Sequence, residues 1–254
     1  MAQSDIILVG VDGGASEVKA HAVRCDDLDA GGSFQLGPEH AAREYERCSG
    51  FEPVPVAVQL DQRRAGVLDL TEAEGKQAVL WVGTCVEAIA AVVANCQGQR
   101  VLIGVGMPGL KTIDGRGIQV INHGPRIPDY LDRLEAGLSD RGIELEAPIK
   151  ALGSDADYCG LGEQYAADGL FGSVNHAYYI GGGTGLADAM KLDGQLVPFD
   201  RACDWIPKSW QMQSALGPTF EGLISAQARP LSEFVKSNRA ISTPKSGVLA
   251  KNQR

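Results

Sequence analysis

Two glycine clusters, separated by most of the chain, hold the residues best suited to chemistry. The first is Asp12-Gly13-Gly14-Ala15-Ser16, with Lys19 three residues further on; the second is Gly181-Gly182-Gly183-Thr184-Gly185. Successive backbone N–H groups in such turns make a concavity that takes an anion. Glycine matters there because it accepts positive φ and lets a ligand approach the backbone. Ser16 and Thr184 add hydroxyl donors, and Lys19 can meet a phosphate as a point charge. Asp12 stands at the mouth of the first turn. An acid beside a phosphate cradle makes electrostatic sense when a divalent cation lies between them. Asp155 is the other candidate. It follows an apolar stretch and opens a predicted helix, whose N-terminal dipole favours the ionised carboxylate. A carboxylate so held can take the proton of a hydroxyl that attacks a γ-phosphate.

The elements around these residues decide how they are used. Residues 5–11 form a β-branched run that predicts a buried strand, and residues 17–23 alternate Val18, Ala20 and Ala22 with Glu17, Lys19 and His21. The first glycine turn therefore joins two strands. In a dinucleotide-binding or P-loop unit the glycines would open a helix. The second cluster repeats the device: residues 176–180 predict a strand, 186–192 its return, and Asp193-Gly194 a tight hairpin into 195–197. The copies lie roughly 170 residues apart, which is a two-lobed duplication and not a short-period repeat.

Between the copies, residues 52–60 and 66–70 predict strand or turn, with Pro53 and Pro55 placing the first at an edge. Thr71 and Glu74 form a capping box. It opens a helix with Val79, Val82, Val86, Ile89 and Val93 on one face, ending near Gly98. Residues 101–105 predict a buried strand that runs into the loop Gly106-Met107-Pro108-Gly109. Residues 118–121 predict a short strand, 129–141 a helix buried through Leu131, Leu134 and Leu138, and 155–168 another helix. A last helix is expected over 217–228, then a basic, polar, loosely ordered tail from Arg229.

Composition sets the outer limits. The chain has 254 residues, 44 % of them hydrophobic, enough for two lobes and a buried core. Its net charge is −9. Nucleic acid is not an expected partner, because phosphate-backbone contacts need clustered Lys and Arg. Six scattered cysteines form no C-x-x-C pair, so reduced thiols in a cytoplasmic protein are expected, without structural zinc. The run Ile6–Val11 is too short for a signal core or a membrane span, and no membrane partner is expected.

Each piece has a plainer reading. A lone glycine hairpin is most often a tight turn, Asp155 and Asp157 alone are helix caps, and Lys19 alone is a solvated strand face. Gly106–Gly109 alone is a turn, Cys159 a small packing residue, and His123 a polar loop residue. The functional case comes from their joint order.

That order resembles the ROK family of repressors and sugar kinases, within the actin/hexokinase superfamily. Gly10-Val11-Asp12-Gly13-Gly14-Ala15-Ser16-Glu17-Val18-Lys19 is similar to its phosphate-1 motif, and Gly104-Val105-Gly106-Met107-Pro108-Gly109 to its connecting loop. Ser154-Asp155-Ala156-Asp157 with Gly160-Leu161-Gly162-Glu163 resembles the segment that holds the catalytic aspartate. Gly183-Thr184-Gly185 with Asp193-Gly194 resembles the phosphate-2 turn and its hairpin. The likeness spans residues 5–225.

The resemblance implies an α/β, two-lobed actin-like ATPase (ribonuclease H-like) fold with a duplicated mixed β-sheet core flanked by helices. Its lobes are expected over 1–122 and 123–228, followed by the tail 229–254. It implies ATP-dependent phosphorylation of a sugar hydroxyl, of the hexose or N-acetylhexosamine class. Asp155 would be the general base, and Asp12 would hold Mg²⁺ through water. Gly13, Gly14, Ser16, Lys19, Gly182, Gly183, Thr184 and Gly185 would hold the nucleotide phosphates. Gly106, Pro108, Gly109, Ser154 and Glu163 would join Asp155 around the sugar. A homodimer is compatible with it.

The departures are as specific as the matches. The family's zinc motif, with its cysteine cluster and sugar-touching Glu and His, has no counterpart, and Pro198 to Met212 occupies its place. Ser154 replaces an Asn, and Arg126 stands where another Asn is expected. The adenosine glycine motif lies beyond the last residue, so either the sequence is a fragment or nucleotide binding is weakened. Two other readings therefore stay open: a non-catalytic sugar or nucleotide sensor, and an ATPase activator of the dehydratase-activase type. A DNA-binding repressor is disfavoured, because no helix-turn-helix precedes the first strand.

Overall fold

A computed structural model describes residues 5–25, 34–182, 185–198, 206–209, 212–215 and 219–224, with the side chains of residues 155, 156 and 224 excepted. Among the described residues, those up to Tyr179 together with those from Asp188 to 198 belong to one compact unit, and Ile180–Ala187 with those after 203 to another.

The first unit is built on a six-stranded mixed sheet. Strands β1 (Ile6–Gly13), β2 (Glu17–Cys25) and β3 (Phe34–Glu44) form an antiparallel meander. β4 (Arg100–Met107) then returns parallel to β1. Short strands β7 (Glu144–Leu145) and β8 (Gly153–Ser154) pair in parallel with the start and the end of β4. The order is β3-β2-β1-β4-β7, with β8 beside β4. The period-two pattern of the first hairpin holds: Val9, Val11, Val18 and Ala20 are buried, while Asp12 and Lys19 are exposed. No helix follows Gly14, so the hairpin expected from the sequence is confirmed.

The buried face of this sheet meets α2 (Glu72–Val93), which packs on β2, β3 and α3 (Tyr130–Asp140). α2 starts at the expected capping box. The Glu74 N–H donates to Thr71 Oγ1 at 3.1 Å, and the Thr71 N–H donates to Glu74 Oε2 at 3.0 Å. Its buried face is Ala78, Trp81, Val82, Cys85, Ile89 and their neighbours; Val79, expected on that face, is 63 % exposed. α2 is also long and apolar enough to cross a membrane by length and composition, and half of that window is buried in the protein. In α3, Leu131, Leu134 and Leu138 are fully buried, as their spacing predicts. Each such side chain contributes about 1.5–3 kcal/mol by leaving water.

The expectation for 52–60 fails. Residues 52–60 are not an edge strand: α1 (Val56–Arg64) begins just after Pro55, where a proline is tolerated ahead of the first helical turn. Gln59, 1 % exposed, is the reason the helix sits there. Its amide donates to the carbonyl of Ile121 at 2.9 Å and accepts from the N–H of Ile121 at 2.8 Å. Residues 66–70, expected as strand or turn, open on a turn at Gly66 (φ 68°) and form no strand. The polar edge strand β3, with Gly37 and Pro38 inside it, has no apolar period to announce it.

Beyond β4, β5 (Leu110–Lys111) and β6 (Ile118–Val120) pair as a small hairpin. α4 (Asp155–Tyr165) follows β8 directly. A second sheet, order β11-β10-β9, contains β9 (Ala177–Gly182), β10 (Leu186–Leu192) and β11 (Gln195–Leu196). The Asp193-Gly194 hairpin is as expected, with both residues at positive φ (49° and 80°). Of the last expected helix, α5 (Phe220–Ile224) is described. The tail lies outside the described residues.

Candidate active site

The first glycine turn is a closed hairpin tip. Gly14 N–H donates to the Glu17 carbonyl at 2.8 Å, and Tyr45 N–H to the Ser16 carbonyl at 2.9 Å. Among the described residues, neither the Ala15 nor the Ser16 amide has a hydrogen-bond acceptor. They are the open donors that an anion nest requires. Gly13 is fixed by the strand beside it, since a Cβ there would lie 2.0 Å from Met107 Sδ at the end of β4.

A transverse row of residues forms the floor next to this tip. Register pairs Lys19 with Asp12, Asp12 with Gly106, and Gly106 with Gly153. Lys19 and Asp12 thus stand as opposite charges on adjacent strands. Lys19 Nζ also lies 2.8 Å from Glu17 Oε1, and chiefly that hydrogen bond raises its pKa. The pair is solvent-screened, so the lysine can exchange Glu17 for a stronger anion at small cost. Further along the same strand His21 stacks on His40 at 5.3 Å. Burial, then the charges of His40 and Lys19, lower the His21 pKa.

The glycines of this row make a slot for an aromatic ring that the sequence did not single out. A Cβ on Gly106 would stand 2.8 Å from the Tyr158 ring, and one on Gly153 2.0 Å from it. Tyr158 is four residues into α4, so it holds the first turn of that helix against β4 and β8. On the helix's other side Gly160 packs against Ala189, with 2.7 Å to a Cβ built at Gly160. Cys159 hydrogen-bonds Tyr179, whose pKa rises first from that thiol's charge and then from burial. α4 is therefore gripped from two sides, and its first residue is Asp155. The side chain of Asp155 lies outside what is described.

The connecting loop is pinned from below. Lys111, 8 % exposed, donates from Nζ to the carbonyls of Met107 at 2.7 Å and Gly109 at 2.8 Å. Gly109 has φ 85° and no room for a Cβ, which would fall 2.1 Å from the Val120 carbonyl oxygen. Pro108 lies between these two pinned residues. Ser154 is buried, and no side-chain capping bond joins it to α4. Glu163 accepts from the Leu170 N–H at 2.9 Å, so it braces the following loop.

Arg126 is not a ligand-facing substitute for the expected Asn. It is 1 % exposed and binds Glu74 through Nε and Nη2, each at 2.7 Å, with further bonds to Gln62 and the Asp69 carbonyl. Burial raises the Glu74 pKa, and the hydrogen bonds from Arg126 and Thr71 outweigh it, leaving a net lowering. This latch ties the loop that carries His123 to the start of α2. Nothing local in the sequence announces it: Glu74 already has a partner in the capping box with Thr71, and Arg126 lies 52 positions away.

In the second glycine turn, Gly183 and Thr184 lie outside the described residues. Gly182 is exposed. Leu186 N–H donates to Glu221 Oε2 at 3.0 Å, and the same carboxylate would crowd a Cβ on Gly185 at 2.6 Å.

A cavity of about 520 Å³ opens on the α2 side of the first hairpin. Its walls are the turn Ala15–Glu17, the stretch Glu44–Arg47, and Phe51, Gln77, Trp81 and His123. Apart from Ser16, none of these residues is a candidate on sequence alone, where His123 reads as a polar loop residue.

No protein-family model matches the chain, and no curated protein matches it. Solved structures do. The inorganic polyphosphate/ATP-glucomannokinase of Arthrobacter sp. strain KM superposes with TM-score 0.58 at 21 % identity, covering 90 % of this chain and 72 % of that one. The ROK-family glucokinase of Streptomyces griseus, solved with glucose and AMPPNP, gives TM-score 0.52 at 15 % identity over 93 % of this chain. This chain spans 62 % of that glucokinase. The likeness shows the fold: a mixed β-sheet with flanking helices. Both of these solved structures are sugar kinases, and the likeness to them is one of fold.

Proposed function

We propose that the protein transfers a phosphoryl group from ATP to a hydroxyl of a sugar. The observation that carries this reading is the first hairpin. Its turn offers the open amides of Ala15 and Ser16, with Asp12 and Lys19 paired across the strands immediately behind. This donor set fits a nucleotide phosphate, and a carboxylate one strand from a lysine fits a hydrated Mg²⁺ beside it. ATP with Mg²⁺ would supply the transferable phosphoryl group.

The chain's own residues supply position and charge. The Ala15 and Ser16 amides and the Ser16 hydroxyl bind the phosphate, and Lys19 adds its charge. Asp12 would hold the cation. Asp155, on the first turn of a helix clamped through Tyr158 and Gly160, accepts the proton of the sugar hydroxyl. Gly106, Pro108, Gly109, Ser154 and Glu163 shape the surrounding backbone. We assign Gly182 to Gly185 to phosphate binding as well. Preorganised donors of this kind provide most of the catalysis in phosphoryl transfer.

The test is ATP-dependent phosphorylation across a panel of hexoses and N-acetylhexosamines, for the wild type and Asp155→Asn. Turnover abolished by the substitution, with ligand binding nearly intact, supports the kinase. A protein that binds both ligands and transfers nothing in either form is a sensor.

A further inference from the structure

We infer that the cavity on the α2 side of the first hairpin binds a small zwitterion, in which an ammonium lies a few bonds from a carboxylate or a phosphate. This goes beyond the kinase reading and rests on it only for one consequence, that such a ligand competes with the nucleotide. At about 520 Å³ the cavity falls in the range of small-molecule sites, about 300–1,000 Å³.

The cavity presents groups for both charges side by side. The open amides of Ala15 and Ser16, with the Ser16 hydroxyl, take an anion. Beside them stand Glu44 and Glu46, both exposed, and neither carboxylate forms an ion pair with another described residue. Register brings the two sets together: Glu17 pairs with Glu44, and the Tyr45 N–H donates to the Ser16 carbonyl at 2.9 Å. Strands so bonded run about 5 Å apart. An ammonium and an anion a few bonds apart therefore reach both sets at once.

The guanidinium of the lining does not serve as the missing cation. Arg47 donates to the Phe51 carbonyl at 2.9 and 3.3 Å, lies 5.7 Å over the Phe51 ring, and stands 3.7 Å from Glu52. The Gln77 amide is committed as well: it accepts from Cys48 N–H at 2.8 Å and donates to the Glu46 carbonyl at 2.6 Å. A bare anion on the turn would meet the field of two unneutralised carboxylates, and a bare cation would leave the turn amides unused. An anion fits when it brings positive charge with it. A nucleotide phosphate does so with Mg²⁺, and a zwitterion does so with its own ammonium. The back wall is aromatic, with Tyr45 and Trp81 stacked at 4.2 Å and 10° between their planes. It gives an apolar side chain on the ligand a surface to cover.

The experiment titrates four probes into the full chain at low salt. L-leucine and O-phosphoethanolamine carry both charges; N-acetyl-L-leucine and L-leucinamide carry one each. Binding is read by calorimetry and by the amide resonances of Ala15 and Ser16. At least one zwitterion should bind and shift both resonances; leucine doing so assigns the anion as a carboxylate, phosphoethanolamine as a phosphate. The single-charge probes should bind about three- to tenfold more weakly. The double variant Glu44→Gln/Glu46→Gln, which alters only exposed side chains, should weaken the zwitterion by a similar factor and leave N-acetyl-L-leucine unweakened. Single-charge probes that bind as well as the zwitterions, zwitterion affinity unchanged in the double variant, or shifts remote from Ala15 and Ser16 each overturn the inference, as does no binding by either zwitterion. AMPPNP with Mg²⁺ should displace the bound zwitterion. Its failure to do so, with the zwitterion still on the turn, sinks the kinase reading and leaves this inference standing. Nucleotide shifts at the turn without zwitterion binding do the reverse.

Discussion

Arg126→Ala should destabilise the protein severely, and the structure says by how much. Both Arg126 and Glu74 are 1 % exposed in the side chain. The substitution removes the guanidinium bonds to both Glu74 oxygens, to Gln62 and to the Asp69 carbonyl. It leaves a carboxylate buried beside the first turn of α2. Breaking a buried pair from one side costs about 3–5 kcal/mol. For a chain of this size that lowers Tm by roughly 6–20 °C. Replacing both partners with methionine leaves no orphan charge and should recover most of the loss. Urea and thermal unfolding of the wild type, Arg126→Ala and the double variant measure this directly. The pH dependence gives a second handle. The native Glu74 pKa lies below its unfolded value, so its contribution is fully present above about pH 4.3. It is lost as pH falls through the native value, and this acid-side slope should shrink in Arg126→Ala. A loss under about 1 kcal/mol in Arg126→Ala would refute the reasoning.

Other outcomes follow from the same structure. Gly153→Ala puts a methyl 2.0 Å from the Tyr158 ring and should cost about 1–3 kcal/mol, with Tyr158→Ala partly restoring stability in the double variant; chemical denaturation checks both. Tyr158→Ala alone should loosen the first turn of α4, seen as faster amide exchange there, whereas Tyr158→Phe should keep it ordered. The lowered His21 pKa means that the unfolded chain binds the proton more readily. Stability should therefore fall as pH drops from about 6.5, by at most about 1.4 kcal/mol per pH unit, and His21→Gln should flatten that limb.

The first hairpin is legible because strict alternation from Glu17 to Ala22 leaves a strand as the only consistent reading, and the capping box at Thr71 announces α2. Leu131, Leu134 and Leu138 marked α3 in the same way. α1 was misread because Val54, Val56 and Val58 look like a strand; the deciding contact is Gln59 gripping Ile121, a pairing across 62 positions that no local pattern reveals. β3 was missed because its partner is β2 and its own residues are mostly polar and exposed. At the site, glycines at 106 and 153 were visible, but their purpose, a slot for Tyr158, appears only when β8 is laid beside β4. The cavity was hidden for a related reason: its walls come from four separated stretches, brought together by β3 ending next to the turn that β2 begins.

The central claim is that the turn at Ala15 and Ser16 is a phosphate cradle. Titrating AMPPNP with Mg²⁺ into the isotopically labelled protein, and following the amide resonances of Gly14, Ala15 and Ser16, tests it most directly. Saturable shifts at Ala15 and Ser16, lost when Asp12→Asn weakens the cation, are the predicted result. Resonances of that turn that stay still while the nucleotide binds elsewhere, or does not bind at all, would contradict it.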